Sequence, residues 1–134
     1  MPYFLDTNIL LYSISRNPAD ALKRERAIAL LDRDDGALSV QVLQEFCVQA
    51  TTRPHPLPRE TAVGLLTAWT RFKVQEITLS ILTSALEIKG AHGFSYWDSA
   101  IIAAARALGC RELYSEDMSH GQEVERVVIV NPFR

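Results

Sequence analysis

Four acidic residues stand where strands are predicted to end or helices to begin: Asp6, Glu45, Asp98 and Asp117. Two carboxylates about 4 Å apart repel each other by about 4 kcal/mol at an effective dielectric constant of about 20. A cluster of four would therefore raise the pKa values of its members or hold divalent cations. Ligation by oxygen alone selects Mg²⁺ or Mn²⁺ over zinc, and no histidine–cysteine set competes for that role. If the acids gather, the pattern predicts a magnesium or manganese site.

Each acid also has a purely structural interpretation. Asp6 lies at a strand–helix junction, where aspartate is a good N-cap. Ser95 and Asp98 together resemble a capping box, and the helix dipole favours an acid in a first turn. Glu45 lies off the apolar stripe of its helix, as a solvent-facing glutamate would, and residues 115–117 are typical of a turn. The functional interpretation depends on all four acids reaching one crevice.

The elements that would position the acids alternate between strands and helices. Apolar strands are predicted over residues 3–5, 37–40, 74–77, 110–114 and 127–130, with helices between them. This alternation predicts an α/β fold with a mainly parallel central sheet of four to five strands flanked by helices. The helix that begins at Ser95 is the most apolar and should be central and buried. In such sheets, ligands bind outside the carboxyl ends of the strands.

The composition favours a small globular protein. A chain of 134 residues, 48% hydrophobic and 22% charged, fits one domain spanning residues 1–134. The net charge of −2 shows no global basic excess, although an acidic site would hide a local basic patch. We expect Cys47 and Cys110 to be reduced core residues of a cytoplasmic protein. No signal peptide is visible, and the longest apolar run, residues 100–105, is far shorter than a membrane span.

The sequence resembles the PIN domain family, and within it the VapC-type toxins of bacterial toxin–antitoxin pairs. Four motifs carry the resemblance, in the family's order and at fitting intervals, and they cover nearly the whole chain. They are Phe-Leu-Asp-Thr-Asn ending at Asn8, Ser39-Val-Gln-Val-Leu-Gln-Glu45-Phe, Tyr96-Trp-Asp98-Ser-Ala-Ile-Ile, and Tyr114-Ser-Glu-Asp117.

The resemblance implies a PIN-like nuclease domain in which the catalytic and metal-ligating residues are Asp6, Glu45, Asp98 and Asp117. It implies an endoribonuclease that needs Mg²⁺ or Mn²⁺ and cleaves RNA phosphodiester bonds through a metal-activated water, leaving 5′-phosphate and 3′-hydroxyl ends. It also implies a homodimeric toxin that is silenced by a cognate antitoxin protein, whose tail fills the acidic groove. One or two metal ions would satisfy the pattern.

The last motif departs from the family pattern, which is often Thr-x-Asp-x-Asp-Phe. Here the stretch is Ser115-Glu116-Asp117-Met118-Ser119-His120. Ser115 can replace the threonine hydroxyl, but the second aspartate is absent and Glu116 offers a rival carboxylate. The fourth ligand is therefore open between Asp117 and Glu116. Asn8 matches the family's opening motif and would position a water or a carboxylate.

Alternatives to the nuclease hypothesis remain at this point. A non-catalytic PIN-like binding or scaffold module would use the same acids only as caps. An aspartate-based phosphatase of the haloacid dehalogenase type needs a second aspartate two residues after the first, where this chain has Asn8. Arg53, Arg59 and the basic helix over residues 23–33 are candidates for holding RNA, although such a charge run is usually a solvated helix face. Transfer, ribosomal and messenger RNA all fit as substrates.

Overall fold

The computed structural model describes residues 2–134 of the chain. The strands of this part are β1 Tyr3–Leu5, β2 Gly36–Ser39, β3 Lys73–Gln75, β4 Glu112–Tyr114, β5 Glu123–Val124 and β6 Val127–Val130. Its helices are α1 Thr7–Ser13, α2 Ala21–Leu31, α3 Val40–Thr52, α4 Arg59–Trp69, α5 Leu79–His92 and α6 Tyr96–Ala107. A short 3₁₀ turn, Pro18–Asp20, precedes α2.

The strands form one sheet in the order β3-β2-β1-β4-β6-β5. Every pairing between its neighbouring strands is parallel except that of β5 with β6. The predicted α/β fold with a mainly parallel sheet is confirmed. Within residues 2–134 the sheet has six strands rather than four to five, because the short strand β5 escaped the sequence prediction.

The direction of the chain across the sheet reverses beside β1. From β1 the chain moves outward to β2 and β3, and then crosses back to β4 on the other side of β1. Crossovers between parallel strands are right-handed, so the reversal places α1 to α4 on one face and α5 with α6 on the other. The helix contacts agree, since α1 packs against α2 and α3, whereas α6 packs against α5 and β4. A crevice opens at such a switch point, at the carboxyl ends of β1 and β4.

The core lies on both faces of the sheet. All three residues of β1 are buried, as are the consecutive α6 residues 99–105, which confirms that α6 is the buried central helix. Trp69 packs edge-to-face on Phe46, with ring centroids 4.8 Å apart. Both cysteines are free; Cys110 is buried as expected, whereas Cys47 is only half-buried on α3. In the described chain no helix is long and apolar enough to cross a membrane.

Polar residues set the helix ends. The Asn17 side chain accepts a hydrogen bond of 3.0 Å from the Ala19 amide and so caps the 3₁₀ turn that precedes α2. Gly93 ends α5 with a φ of 79°, in the left-handed region that glycine adopts without strain. Residues 53–58, which include three prolines, separate α3 from α4 without helical structure.

Candidate active site

A small cleft opens at the switch point, between α1 and α3 on one face of the sheet and α6 on the other. Its volume is about 130 Å³, enough for a few water molecules or hydrated ions. All four acids singled out in the sequence line it, together with side chains that sequence reasoning had not assigned to a site. The lining residues are Asp6, Thr7, Asn8, Leu11, Glu45, Gln49, Asp98, Ile101 and Asp117.

Asp6 is the buried acid at the base of the cleft, with only 7% of its surface exposed. The Thr7 amide donates to its Oδ1 over 2.7 Å, and the Ser115 hydroxyl donates to its Oδ2 over 2.7 Å. Burial raises the pKa of Asp6 to about 6; the two hydrogen bonds oppose this shift, and the charges of Glu45 and Asp98 add to it. Asp6 therefore caps α1, as the structural interpretation predicted, and also presents a carboxylate to the cleft.

Glu45 reaches the cleft from the second turn of α3. The Thr7 hydroxyl donates to its Oε1 over 2.8 Å. This bond ties the side chain to the first residue of α1, so Glu45 is not a free solvent-facing glutamate. Thr7 was quoted in the opening motif but was given no role, and its position directly after Asp6 was the signal available in the sequence.

Asp98 enters the cleft from the first turn of α6. Its amide donates to the Ser95 hydroxyl over 3.1 Å, which confirms the predicted cap. Burial raises the pKa of the Asp98 carboxyl, the charge of Asp117 raises it further, and a hydrogen bond from Ser95 opposes the shift. Asp98 and Asp117 therefore interact electrostatically although they come from different segments.

Asp117 is held at the cleft by hydrogen bonds with two polar neighbours, Asn8 and Ser115. Asn8 donates from Nδ2 to the Asp117 carboxylate over 3.1 Å, and more weakly to the Ser115 hydroxyl over 3.4 Å. The Asp117 amide donates to the same Ser115 hydroxyl over 3.3 Å. Ser115 also donates to Asp6, so its hydroxyl connects the first and last acidic segments of the site. In the family motif this position is held by a threonine hydroxyl.

Glu116, the rival carboxylate, does not line the cleft. Its side chain accepts hydrogen bonds from the Tyr12 hydroxyl and the Lys23 ammonium. Burial acts to raise the pKa of Glu116, but these two bonds and the Lys23 charge outweigh it and lower the pKa. Of the two carboxylates that the sequence left open, the geometry therefore favours Asp117 as the fourth member of the cluster.

The chemistry of the donor set fits a hard divalent cation. The titratable groups lining the cleft are carboxylates, and the Thr7 hydroxyl and Asn8 amide add neutral oxygens. The raised pKa of Asp6 reports buried negative charge that a cation would offset. Within residues 2–134, no three His, Cys, Asp or Glu side chains are already arranged to hold a metal ion in common.

Comparison with solved structures shows the same fold in bacterial toxins. A toxin–antitoxin complex from Klebsiella pneumoniae superposes with a TM-score of 0.73 at 19% identity, covering 97% of each chain. VapBC2 from Rickettsia felis, bound to promoter DNA, has a TM-score of 0.65 at 17% identity, covering 96% of this chain and 97% of that one. Mycobacterium tuberculosis VapC20, described as a Sarcin-Ricin loop cleaving toxin, has a TM-score of 0.65 at 20% identity, covering 83% and 86%.

At these identities the likeness establishes the fold alone. No curated protein matches the sequence. A family model does match, and its description is PIN domain. The match spans residues 3–120, from the first residue of β1 to beyond Asp117, so it includes all four acids of the cleft. The chain belongs to the PIN domain family.

Proposed function

We propose that this chain is a metal-dependent endoribonuclease and the toxin of a toxin–antitoxin pair. The observation that carries the proposal is the meeting of four acids, from four distant segments, in one cleft at the switch point of the sheet. Membership of the PIN domain family supports it. The structural neighbours add support, because one is described as a Sarcin-Ricin loop cleaving toxin and another as a toxin–antitoxin complex.

In this proposal the acids that hold Mg²⁺ or Mn²⁺ are Asp6, Glu45, Asp98 and Asp117. Such a cation would lower the pKa of a water molecule and hold the scissile phosphate for in-line attack, so no side-chain nucleophile would be needed. The chain's own groups orient the acids for this task. Thr7 and Ser115 fix both oxygens of Asp6, Thr7 also fixes Glu45, and Asn8 fixes Asp117.

The structure changes the set of cations that we propose for holding RNA. Within the basic helix, Lys23 is paired with Glu116, Arg26 donates to the carbonyl of Pro132, and Arg33 pairs with Asp35. Each of these side chains already has an ion-pair or hydrogen-bond partner within the molecule. They are therefore weaker candidates than the sequence suggested.

Three other arginines surround two adjoining depressions of about 630 and 750 Å³ at the carboxyl ends of α1 and α3. They are Arg16, Arg24 and Arg53; Asp20 also lines this region, and Arg59 does not. Gln49 lines the acidic cleft, and Arg53 follows it by four residues, about 6 Å along the helix axis. These depressions are larger than the cleft but contain no acidic cluster, so we propose them as the place where RNA is held and the cleft as the place where it is cut.

We further propose that residues 1–134 act as one nuclease domain in the cytoplasm, as a homodimer regulated by a cognate antitoxin. The exposed apolar side chains on and beside α5 support an interface. They include Leu79 and Leu86, exposed by 77% and 54%, with Trp97 nearby at 64%. The non-catalytic alternative rests on a specific observation as well, because Asp6 is the N-cap of α1 and Asp98 lies in the first turn of α6, capped by Ser95.

The experiment that tests the proposal is cleavage of a mixed cellular RNA pool by the purified chain in Mg²⁺ or Mn²⁺. It includes an EDTA control and an Asp6→Asn protein prepared in the same way. Discrete cleavage that requires both the metal and Asp6 supports the nuclease and begins to define the substrate. Cleavage that persists in EDTA or in Asp6→Asn contradicts it. If no RNA is cut, calorimetry with Mn²⁺ decides whether the acids bind metal or serve only as caps.

A further inference from the structure

Glu116 belongs to a cluster of three polar side chains beside the acidic cleft. Its carboxylate accepts hydrogen bonds from the Tyr12 hydroxyl of α1 and from the Lys23 ammonium of α2. Lys23 also donates to the Tyr12 hydroxyl over 3.3 Å. Both oxygens of Glu116 are therefore engaged, which keeps this carboxylate away from the cleft.

The position of Glu116 is coupled to that of Asp117 through Asn8. The Glu116 amide donates to Oδ1 of Asn8 over 3.3 Å, and Nδ2 of the same Asn8 donates to Asp117 over 3.1 Å. The Asn8 side chain thus accepts a hydrogen bond from Glu116 and donates one to Asp117. A shift of Glu116 moves the group that fixes Asp117.

Phe133 contacts both of the side chains that hold Glu116. Its ring packs edge-to-face on Tyr12, with centroids 5.0 Å apart and an interplanar angle of 71°. The Lys23 ammonium lies 5.7 Å from the Phe133 centroid and 4.9 Å from the Tyr12 centroid. Edge-to-face packing and cation–π attraction both favour this arrangement.

The segment that carries Phe133, residues 131–134, is itself anchored on two sides. Arg26 of α2 donates to the carbonyl of Pro132 over 3.1 Å. The Asn131 amide donates to Nδ1 of His120 over 2.9 Å, and the Phe133 amide donates to the Asn131 side chain over 2.9 Å. Phe133 is therefore presented to Tyr12 by a fixed backbone.

We propose that Phe133 is a positioning residue for the acidic cleft. By packing on Tyr12 and Lys23, it keeps Glu116 turned away and leaves Asp117 as the carboxylate that Asn8 presents to the cleft. Without this packing, the Glu116 charge is released beside Asp117 and competes for the same site. The inference rests on the proposed nuclease function for its kinetic consequence, but the positioning itself is measurable without cleavage.

The test compares Phe133→Ala with Phe133→Tyr, which keeps the ring. In Phe133→Ala we expect kcat to fall about 10- to 100-fold, because small displacements of reacting groups cost that much, while KM changes little. Mn²⁺ affinity should fall about 10-fold or more, as for loss of a group that supports a ligand. Phe133→Tyr should restore both values.

A second readout, hydrogen exchange of the Glu116 amide, does not depend on activity. It should accelerate in Phe133→Ala, whereas the Val128 amide, which bonds the Arg111 carbonyl, should be unaffected. Equal acceleration at both amides would show a general loss of stability and overturn the proposal. The proposal would also be overturned if the Glu116 amide of folded Phe133→Ala exchanged at the same rate as in the wild type.

Tyr12→Phe is the second variant, in case Phe133→Ala does not fold. It removes only the hydroxyl that binds Glu116 and should accelerate the same amide and reduce Mn²⁺ affinity; no change in either would contradict the inference. If the wild-type chain neither cleaves RNA nor binds Mn²⁺, the proposed function fails, yet amide exchange still decides whether Phe133 positions this segment.

Discussion

The hydroxyl of Ser115 donates a hydrogen bond of 2.7 Å to Oδ2 of Asp6, a residue 109 positions earlier in the sequence. Ser115 follows β4 and Asp6 follows β1, and these two strands are parallel neighbours. The bond therefore connects the two sides of the switch point, directly beneath the cleft. The Asp6 carboxylate is the most buried acid of the cluster, so the bond affects both the stability of the fold and the pKa of Asp6.

We expect Ser115→Ala to lower the free energy of unfolding by about 1–3 kcal/mol, the usual cost of leaving a buried polar group without its hydrogen-bond partner. Ser99→Ala is the matched control. Ser99 is equally buried, and its hydroxyl has no hydrogen-bond partner among the residues that the structure describes. Denaturant unfolding of both variants measures the difference, and equal effects would contradict the role assigned to Ser115.

Asp6 should make stability depend on pH in metal-free buffer. Its pKa is about 6 in the folded chain against an ordinary value of 3.8, so the folded state binds the proton more tightly. The resulting stabilisation is fully present below about pH 4 and is lost as the pH rises through about 6, by about 3 kcal/mol in total. Unfolding of the wild type relative to Asp6→Asn, compared at pH 4.5 and pH 7.5, measures this loss. A pH-independent difference between the two proteins would contradict the burial effect.

Asp117→Asn and Glu116→Gln should separate the two carboxylates that follow β4. Asp117 lines the cleft, whereas Glu116 is bonded to Tyr12 and Lys23. We expect Asp117→Asn to reduce Mn²⁺ affinity and cleavage by about 100-fold or more, and Glu116→Gln, which acts only through its neighbours, by about 10-fold. Calorimetry and single-turnover cleavage provide the two measurements. The reverse order would assign the fourth ligand to Glu116.

Arg53→Glu should weaken binding of single-stranded RNA to the cleavage-deficient Asp6→Asn protein. Loss of one phosphate contact lowers the slope of log affinity against log salt by about 0.7. The matched control is Arg111→Glu, which makes the same charge change just before β4, at the amino end of that strand, whereas the cleft lies at its carboxyl end. Anisotropy titrations at several salt concentrations measure both. An equal effect of the two substitutions would indicate nonspecific charge attraction rather than a binding surface.

The sequence was most informative where local pattern and chemistry coincide. The strand over residues 127–130 is found with the predicted bounds, because a run of apolar β-branched residues strongly favours a strand. Asp6 was placed correctly at the end of β1, because the apolar run stops there and a helix begins. The mainly parallel sheet followed from the alternation of strands and helices.

Features that depend on distant residues or unusual backbone were not predictable in the same way. The hairpin between β5 and β6 turns at Glu125 and Arg126, which adopt φ values of 52° and 70°. Two-residue turns of this kind normally carry Asn or Gly, so no turn signal marked this one. Helix periodicity placed Glu45 off the apolar stripe, but its bond to Thr7 spans 38 positions and depends on the packing of α1 against α3.

The choice between Glu116 and Asp117 was also beyond the sequence. The two acids are adjacent, and local chemistry gives no reason to prefer either one. The difference arises from Lys23 and Tyr12, which lie 93 and 104 positions earlier. The catalytic and metal-binding roles of the four acids themselves stay a prediction.

Asp98→Asn is the substitution that most directly tests the central claim that acids from both faces of the sheet act as one catalytic site. Asp98 is the acid contributed by α6. Asparagine keeps its side-chain shape, the hydrogen bond from its backbone amide to Ser95, and an oxygen that can accept from Ser95. Single-turnover RNA cleavage in Mn²⁺ by wild type and Asp98→Asn, with unfolding measured for both, is the experiment. We expect cleavage to fall by at least about 100-fold with the fold intact. Full cleavage by a folded Asp98→Asn protein would contradict the site assignment.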